Sequence, residues 1–338
     1  MFAHFPGGLG RPDTILLVVM ALGLDWVVGD MPVLFRFVPH PVQLMGGLVG
    51  WIERRLNRER RAPATRRIRG LIVVVLLCAV AAVAGFEIAR VSRSVPYGFV
   101  IELFFVTALV AQRSLFDHVY AVAKALRGDG LAAGKDAVRH IVGRDLDQLD
   151  EHGVARAAIE SCAENFSDGV VAPVFWYVVL GLPGLMVYKT ANTMDSMIGH
   201  RSARYRDFGM AAARLDDLLN LIPARLAGLI LAIAALFTPT ANPIRALATM
   251  FRDAGKHSSP NAGWPEAATA GALDLALAGP RRYGEVLADD PWIGRGRARA
   301  NHQDIHRTLF LYVVACAVNA ALLGLVAAGQ ILLYRGFI

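Results

Sequence analysis

The sequence contains little cysteine and little charge for its length. Its 338 residues include three cysteines, and no two of them have the CxxC spacing of a zinc site or a redox motif. We therefore interpret Cys78, Cys162 and Cys316 as small buried apolar residues. Charged residues make up only 19% of the chain and hydrophobic residues 55%, with a mean hydropathy of +0.43. This balance excludes an ordinary soluble domain and is typical of a polytopic membrane protein.

Several catalytic and binding motifs are also missing. The chain has no Walker A loop, no GxGxxG fingerprint, no HExxH zinc motif, no GxSxG turn and no kinase signature. These absences exclude the standard nucleotide loops and the common hydrolase centres, so any use of ATP requires a different kind of site. The chain also lacks an RNA-binding motif, a zinc finger and an internal repeat, and we expect no nucleic-acid partner.

Basic residues are concentrated in one place. The net charge is +7 and the pI is about 9.6, and eight arginines lie in Glu53–Arg69, between two apolar runs. The positive-inside rule explains such a segment as a cytoplasmic topology signal. A dedicated patch for lipid or substrate is the alternative. The preceding stretch, Gln43–Leu56, is amphipathic at helical spacing, and we expect it to lie at the cytoplasmic membrane interface.

Long runs without charge predict the membrane spans. A span needs roughly 20 apolar residues, and Thr308–Tyr334 meets that length, while three other runs are close to it. Residues 14–28 predict a retained helix rather than a cleaved signal peptide. Gly169–Tyr188 contains Pro173, Gly181 and Pro183, which favours a broken or re-entrant segment lining a polar cavity. The three other charge-free runs are Gly70–Phe86, Gly169–Tyr188 and Leu226–Ile244.

The predicted fold is all-α: a polytopic integral membrane protein with broken or re-entrant helices, in which cytoplasmic helical segments form the active site. We expect one membrane-embedded domain over residues 1–338. Its parts are N-terminal helices (14–112), a cytoplasmic helical segment (113–168), a catalytic core (160–225), a polar cytoplasmic segment (245–306) and a C-terminal membrane helix (307–334).

Three polar clusters border the apolar sequence between residues 160 and 225. Ionisable groups at a membrane are costly to place, so they are functional candidates. In the first cluster, Glu160, Glu164 and Asp168 have the spacing i, i+4, i+8 and would share one helix face beside Asn165. Like charges stacked in this way repel one another, and a divalent cation would relieve the repulsion. The alternative is a solvated acidic face neighboured by Arg156.

The second and third clusters add amides and cations. The second consists of Lys189, Asn192, Thr193, Asp195 and Ser196. Within it, Asn192, Asp195 and Ser196 would share one polar helical face with Gly199. In the third, Asp216 and Asp217 precede Asn220 by four and three residues, between two arginines. Adjacent carboxylates provide the hard oxygen ligands that Mg²⁺ prefers. The two arginines are Arg214 and Arg225.

Two distant segments are further candidates. Pro39-His40-Pro41 predicts a rigid turn that holds His40, because each proline ring fixes φ and removes a donor. A structural turn is the alternative to a catalytic role for this histidine. The polar turn Ser259–Glu266 precedes a small-residue helix predicted over Ala267–Leu277. Glu266 would also suit the helix dipole there without any binding role.

Motifs in series then resemble a known family. "DWVVGDMPVLFRFVPHPVQLMG" (25–46), "VGRDLDQLD" (142–150), "AAIESCAENFSDGVVAPVFW" (157–176), "YKTANTMDSMIGHRSARYRDFG" (188–209), "ARLDDLLNLIPARL" (213–226) and "SPNAGWPEAATAGAL" (259–273) occur in this order. Over nearly its full length the chain resembles the CobD/CbiB family of cobalamin biosynthesis, the adenosylcobinamide-phosphate synthases. It departs from the family pattern by Met31 before Pro32, which affects the local turn.

The resemblance implies a multipass inner-membrane enzyme with a cytoplasmic active site. Such an enzyme joins a carboxylate of adenosylcobyric acid to the amine of (R)-1-amino-2-propanol phosphate or a similar aminoalcohol. ATP hydrolysis drives the reaction through an acyl phosphate, with Mg²⁺ and cations around the phosphoryl oxygens. The corrinoid is therefore a substrate, and ATP is a co-substrate. Glu160 or His40 could take the amine proton.

The expected site residues follow from these motifs. The catalytic candidates are His40, Glu160, Glu164, Asn165, Asp168, Asn192, Asp195 and Ser196. The candidates for binding ATP and the other phosphates are Arg144, Lys189, Arg214, Asn220, Arg225, Ser259, Asn261 and Glu266. The candidate metal ligands are Glu164, Asp168, Asp195, Asp216 and Asp217.

Two other functions compete with this one. A membrane transporter would also combine broken helices with buried polar clusters, but it predicts inverted repeats, which the sequence lacks. A non-catalytic membrane sensor like the AmpE-type proteins would be expected to lose the acidic and Asn clusters, which are intact here. Expected partners are the lipid bilayer and the substrates. A homo-oligomer and transfer of the product to later cobalamin-assembly membrane enzymes both remain open.

Overall fold

The structure is a computed structural model. It describes residues 14–31, 35–37, 39–143, 146, 148–200, 202–283, 286–288 and 290–336. Helices dominate these residues. Within them, the strands form two short antiparallel pairs between residues 277 and 293. The all-α prediction is confirmed.

Among the described residues up to 143, six helices are formed. The predicted helix over residues 14–28 is confirmed with the same bounds. The predicted amphipathic helix begins slightly earlier than expected, because Pro41 occupies its first turn, where proline is tolerated, and His40 caps it. The helices are α1 (Thr14–Val28), α2 (Pro41–Leu56), α3 (Pro63–Ser94), α4 (Phe99–Leu109), α5 (Gln112–Gly128) and α6 (Gly130–Val138).

A long helical run follows, made of α7 (Glu151–Phe166), a π-helical turn (Ser167–Val171) and α8 (Ala172–Ile198). Asp150 caps α7, since its carboxylate accepts a hydrogen bond from the Gly153 N–H at 2.7 Å. In the π turn, the Ala172 N–H reaches the carbonyl of Ser167, five residues back, instead of four.

Helix α8 is broken at the position that the sequence predicts. Gly181 has φ 68° and ψ −159°, a backbone region that is essentially restricted to glycine. Pro183 follows within the same helix. Helix α3 approaches this break closely, because a Cβ on Gly85 would lie 2.7 Å from the Pro183 Cα. The break therefore depends on one glycine for its conformation and on another for its packing.

The C-terminal part begins with α9 (Met210–Ala234) and a 3₁₀ turn (Ala235–Phe237). The small-residue helix predicted over Ala267–Leu277 lies four residues earlier, because Asp274 adopts a left-handed conformation (φ 59°) and ends it. The remaining elements are α10 (Pro243–Asp253), a 3₁₀ turn (Ala254–Lys256), α11 (Gly263–Leu273), β1 (Leu277–Ala278), β2 (Arg281–Tyr283), β3 (Val286–Ala288), β4 (Trp292–Ile293) and α12 (His302–Gly336). Strand β1 pairs with β4, and β2 pairs with β3.

Helix length and apolarity identify a multi-pass membrane protein. Among the described residues, five helical runs are long and apolar enough to cross a membrane, while α1 is apolar but shorter. The C-terminal span was predicted, although its helix begins earlier than expected, at His302. The five runs are Pro63–Ser94, Phe99–Gly128, Glu151–Ile198, Met210–Phe237 and His302–Gln330.

The chain divides into two compact units. Unit 1 consists of Met1–Ala111, Pro173–Leu219 and Ala320–Ile338. Unit 2 consists of Gln112–Ala172 and Asn220–Asn319. Two apolar clusters form the core of unit 1: α1, α3, α4 and α8 supply one, and α2, α3, α8 and α9 supply the other.

Large aromatic side chains stabilise the interior of unit 2. The rings of Phe166 and Tyr312 pack edge to face, with centroids 5.7 Å apart. The buried Tyr312 hydroxyl donates to the carbonyl of Gln112 at 2.8 Å. The polar atom of this core tyrosine is therefore satisfied by backbone, as burial requires.

Candidate functional site

Two of the predicted clusters meet inside unit 1. The Asn192 side chain on α8 donates from Nδ2 to Oδ1 of Asp216 on α9, at 3.3 Å. The Asp216 carboxylate is almost fully buried, with 7% of the residue exposed. These residues come from separate motifs, 24 positions apart. The structure thus brings an amide and a carboxylate of the predicted site into direct contact.

Helix α8 carries the rest of the second cluster. Lys189, Asn192 and Ser196 recur at three- and four-residue spacing, so they lie along one side of the helix. Lys189 and Asp195 are half-buried, while Ser196 is exposed and donates its hydroxyl proton to the carbonyl of Asn192 at 2.9 Å. Asp195 lies in the last turn of α8, where the helix dipole disfavours an anion. The negative end of the helix dipole would therefore favour a cationic ligand or a metal ion near Asp195.

Helix α9 presents its charged residues on different sides. Arg214 is exposed and lies two positions before Asp216, so these two side chains do not face each other. Asp217 is half-buried and lies three positions after Arg214, on the same side. The adjacent carboxylates of Asp216 and Asp217 therefore start from neighbouring sides of α9: the first contacts Asn192, and the second lies on the side of the arginine.

His40 serves as a structural cap. Its Nδ1 accepts a hydrogen bond from the Val42 N–H at 3.1 Å, and its ring also hydrogen-bonds the backbone carbonyl of Ala108. Burial lowers the pKa of His40 below its usual value, although the Ala108 carbonyl and the charge of Asp30 oppose this effect. The charge of Lys189 lowers the same pKa, which places the neutral imidazole within the field of the second cluster.

In unit 2, Glu160 has a backbone partner. Its Oε1 accepts a hydrogen bond from the Ala278 N–H at 2.8 Å, and the side chain is buried. Ala278 itself has a positive φ of 57°, which is uncommon for alanine. Glu160 therefore connects α7 to the first strand of the β1–β4 pair.

The three acids of the first cluster lie on one continuous helical run. Glu160 and Glu164 keep their four-residue spacing within α7, which ends at Phe166, and Asp168 lies in the π turn that follows. A common face that includes Asp168 stays a prediction. Glu160 is buried, Glu164 is exposed and Asp168 is half-buried. The three acids thus occupy three different environments. Asn165 donates within α7, to the carbonyl of Ser161 at 2.9 Å.

The polar turn before α11 is held together by its own contacts. The Ser259 hydroxyl accepts from the N–H groups of Asn261 and Ala262 at 3.2 and 3.3 Å. His257 accepts from the Ser259 N–H through Nδ1 at 3.0 Å, and its Nε2 lies 3.7 Å from Oε1 of Glu266. Asn261 and Glu266 are buried. These contacts give Ser259 and His257 a structural role in the turn.

The last two candidates of unit 2 lie on α9. Asn220 is buried. The guanidinium of Arg225 lies over the ring of Trp264, 4.5 Å from its centroid, and donates to the carbonyl of Leu221 at 2.6 Å. A cation stacked on an aromatic ring keeps its charge in a fixed place. Arg144, also predicted to bind phosphate, lies outside the described residues.

The structure gives a specific answer about metal ligands. Across the described ranges, no three His, Cys, Asp or Glu side chains gather as a group that could hold a metal ion. A magnesium ion that also binds substrate phosphates needs only one or two carboxylates. Asp216 and Asp217 suit that second mode in donor chemistry, since both are carboxylates in a polar part of unit 1.

Sequence reasoning missed several buried charges. Glu102 accepts from the Tyr177 hydroxyl at 2.8 Å inside unit 1, and a carboxylate within "FVIELFF" could have indicated it. Asp253 of unit 2 is fully buried, and Arg252, Lys256 and the Gly294 N–H hold its pKa well below the usual range. No local sequence pattern predicts the full set of partners of Asp253, because Gly294 is distant from it in the sequence.

Fold and site define a class: a helical multi-pass membrane protein with carboxylates, amides and cations on its apolar helices. The family model described as CobD/Cbib protein matches residues 18–312. The chain therefore belongs to the CobD/CbiB family of cobalamin biosynthesis. No solved structure matches the chain.

Relatives called "Cobalamin biosynthesis protein CobD" agree with this assignment. The protein from a Sinorhizobium species is 51% identical over 312 residues, which cover 91% of this chain and 97% of the relative. That from Brucella suis biovar 1 is 48% identical over 320 residues, covering 92% and 98%. That from Rhodobacter capsulatus is 46% identical over 311 residues, covering 92% and 96%. The similarity extends over nearly the whole of each chain.

Proposed function

We propose that the protein is an adenosylcobinamide-phosphate synthase. It would form an amide between a propionate carboxylate of adenosylcobyric acid and the amine of (R)-1-amino-2-propanol O-phosphate or a similar aminoalcohol, at the expense of ATP. Family membership supports the pathway. The observation that supports the finer proposal is the contact of Asn192 with Asp216, which joins two of the implicated motifs beside Lys189.

The proposed reaction activates the carboxylate first. A substrate carboxylate oxygen attacks the γ-phosphorus of ATP, and the bond from that phosphorus to the bridging oxygen of ADP breaks. The amine nitrogen then attacks the acyl carbon, and the bond from that carbon to the phosphate oxygen breaks. One amine proton is released, and the products are the amide, ADP and phosphate. Proteins contribute to such transfers chiefly by positioning and by electrostatic stabilisation.

The polar group of unit 1 has the chemistry to position phosphates. We assign Lys189 to a phosphoryl oxygen, because a half-buried ammonium is a strong point charge for such a ligand. Asn192 would donate from its amide group, with Asp216 fixing the orientation of that amide. The exposed Arg214 would bind a more peripheral phosphate.

We assign metal binding to Asp216 and Asp217. Both provide carboxylate oxygens, and the small number of protein ligands suits a magnesium ion that arrives with a nucleotide. Magnesium, when bound, would offset the negative charge of the phosphates. The buried Asp216 would also keep Asn192 oriented with or without the ion, through the hydrogen bond already described.

No base is assigned for the amine. Both candidates predicted from the sequence already make structural contacts: Glu160 accepts from the Ala278 N–H, and His40 caps α2 and bonds Ala108. Proton transfer by His40 would require breaking a contact that holds the fold, and Glu160 holds the Ala278 N–H through one of its two oxygens. We further propose that the protein lies in the bacterial inner membrane with this chemistry on the cytoplasmic side, as the arginines of 53–69 favour.

The experiment is direct. Detergent-purified protein is incubated with adenosylcobyric acid, aminopropanol phosphate, ATP and Mg²⁺, and mass spectrometry measures the amide. ATP-dependent amide is expected, and its absence with all substrates present would refute the proposal. Asp217→Ala tests the metal assignment, against Asp136→Ala, which removes an exposed carboxylate on α6. Unchanged turnover of Asp217→Ala would refute metal binding by that residue.

A further inference from the structure

Helix α2 has one face buried in the protein and one face exposed. Val49 and Glu53 are buried at 1% and 5%, and Val49 belongs to the apolar cluster that α3, α8 and α9 complete. On the other side, Leu44, Leu48 and Trp51 are 58%, 42% and 49% exposed. These three residues follow one another at i, i+4 and i+7, so they form a continuous apolar stripe along the exposed face.

The stripe ends in positive charge. Arg55 comes one turn after Trp51, and its guanidinium lies 4.2 Å from the centroid of the indole ring. Arg54 and Arg58 are exposed beside it. The helix thus changes from apolar to cationic along its exposed side, with a tryptophan at the boundary. Tryptophan and arginine are the side chains that favour the level of lipid headgroups.

Among the described residues, Glu53 and Glu59 lie near this end of α2 and pair with Arg204 rather than with the arginines of the stripe. Glu53, at the same end of α2, binds the guanidinium of Arg204 through both oxygens, at 3.0 and 3.1 Å. Arg66 is buried and donates to Asn57, and Arg67 pairs with Asp207 at 2.8 Å. Part of the arginine-rich segment is therefore used to hold unit 1 together, whereas the arginines at the end of α2 remain on the surface.

We propose that the exposed face of α2 is a binding surface for anionic phospholipids. Leu44, Leu48 and Trp51 would enter the boundary between acyl chains and headgroups. Arg54, Arg55 and Arg58 would bind the lipid phosphates. A segment that only set the membrane topology would need the arginines but not an apolar stripe on the same helix face. A face that docked another apolar surface would need the stripe but not the arginines. The membrane surface satisfies both observations, and α3, the first long apolar helix, follows directly after the segment.

The test uses the full-length protein in nanodiscs. The chain has five tryptophans. The fluorescence of Trp51 is therefore obtained as the difference between the wild type and the Trp51→Phe variant. Lipids brominated near the headgroup should quench this difference signal, and brominated phosphatidylglycerol should quench it more than an equal fraction of brominated phosphatidylcholine. Absence of quenching by either lipid would overturn the placement of the stripe.

Charge variants test the lipid preference. The triple variant Arg54→Gln, Arg55→Gln, Arg58→Gln should lower the retention of phosphatidylglycerol over phosphatidylcholine, measured by native mass spectrometry, by roughly tenfold. The matched control Arg139→Gln, Arg295→Gln, Arg299→Gln removes the same charge from positions elsewhere in the chain and should keep the preference. An equal loss in both triples, or a retained preference in the first, would overturn the proposal, because charge or contact at α2 would then not be the cause.

Discussion

In unit 1, Asn192 donates to the side chain of Asp216, whereas in unit 2 the Ala278 backbone donates to Glu160. The same contrast extends to neighbouring residues. Ser259 accepts from two backbone N–H groups, while Lys189 and Asp195 are half-buried side chains on α8. A side chain that satisfies buried backbone stabilises the fold, and its loss leaves a donor without a partner. Side chains that hold one another can instead exchange partners with a substrate.

The largest expected effect lies in unit 1. Asp216→Ala should reduce amide formation by about 10²- to 10³-fold, because the amide of Asn192 loses its orientation and the proposed magnesium ion loses a carboxylate ligand. The apparent Tm should change by no more than about 2 °C. Steady-state assays and thermal unfolding of the same preparations measure both quantities.

A double-mutant cycle sharpens this prediction. Asn192→Ala and Asp216→Ala should be non-additive, with a coupling of about 1 kcal/mol in the activation free energy, because the two residues share a hydrogen bond. If the effects of the two substitutions on the activation free energy add fully, the hydrogen bond between Asn192 and Asp216 plays no part in catalysis. The proposed functional difference between unit 1 and unit 2 then fails.

A medium effect, on stability, is expected in unit 2. Glu160→Ala leaves the Ala278 N–H without its partner, which should cost about 1–3 kcal/mol and lower the apparent Tm by about 2–6 °C. Turnover per folded molecule should remain. Glu160→Gln keeps an acceptor oxygen and serves as the matched control for thermal unfolding. If the glutamine variant folds normally but loses turnover, Glu160 is catalytic and the contrast between the units fails.

The smallest effect concerns pH. Because the folded pKa of His40 lies below its unfolded value, the neutral ring contributes stability above about pH 6.5, and this stability is lost as the pH falls through the folded pKa. His40→Asn keeps an N-cap but does not titrate. Unfolding followed between about pH 8 and pH 5 should show a shallower decline for the variant, by less than about 1 kcal/mol. If the stability of the variant instead falls more steeply than that of the wild type, the protonated His40 ring is the form that stabilises the fold.

Local chemistry made much of the fold predictable from sequence. The apolar runs indicated the membrane helices, and Gly181 with Pro183 indicated the break in α8, because these effects act within a few residues. The π turn was not predictable, since nothing in "NFSDGVV" distinguishes an i→i+5 bond from a regular turn. The common face of Glu160, Glu164 and Asp168 stays a prediction, because the π turn falls at its last member.

The candidate site was predicted as a set of residues, chiefly through the family resemblance, and less well as contacts. Asn192 and Asp216 lie in motifs that the sequence identified, but their pairing depends on how α8 and α9 pack. The partner of Glu160 is 118 positions away. Contacts between residues so far apart in the chain leave no repeating pattern that a single sequence could reveal.

The break at Gly181 has a consequence for how the chain enters the membrane. A glycine in this conformation and Pro183, which lacks an N–H, interrupt the helical hydrogen bonds in the middle of a run without charge, where lipid cannot replace them. The backbone of α3 at Gly85 is close enough to cover this point. Because α3 is synthesised first, it would be in place when α8 leaves the ribosome. Insertion assays should find α8 poorly inserted alone and well inserted behind α3, so the order of helices along the gene is itself part of the folding pathway.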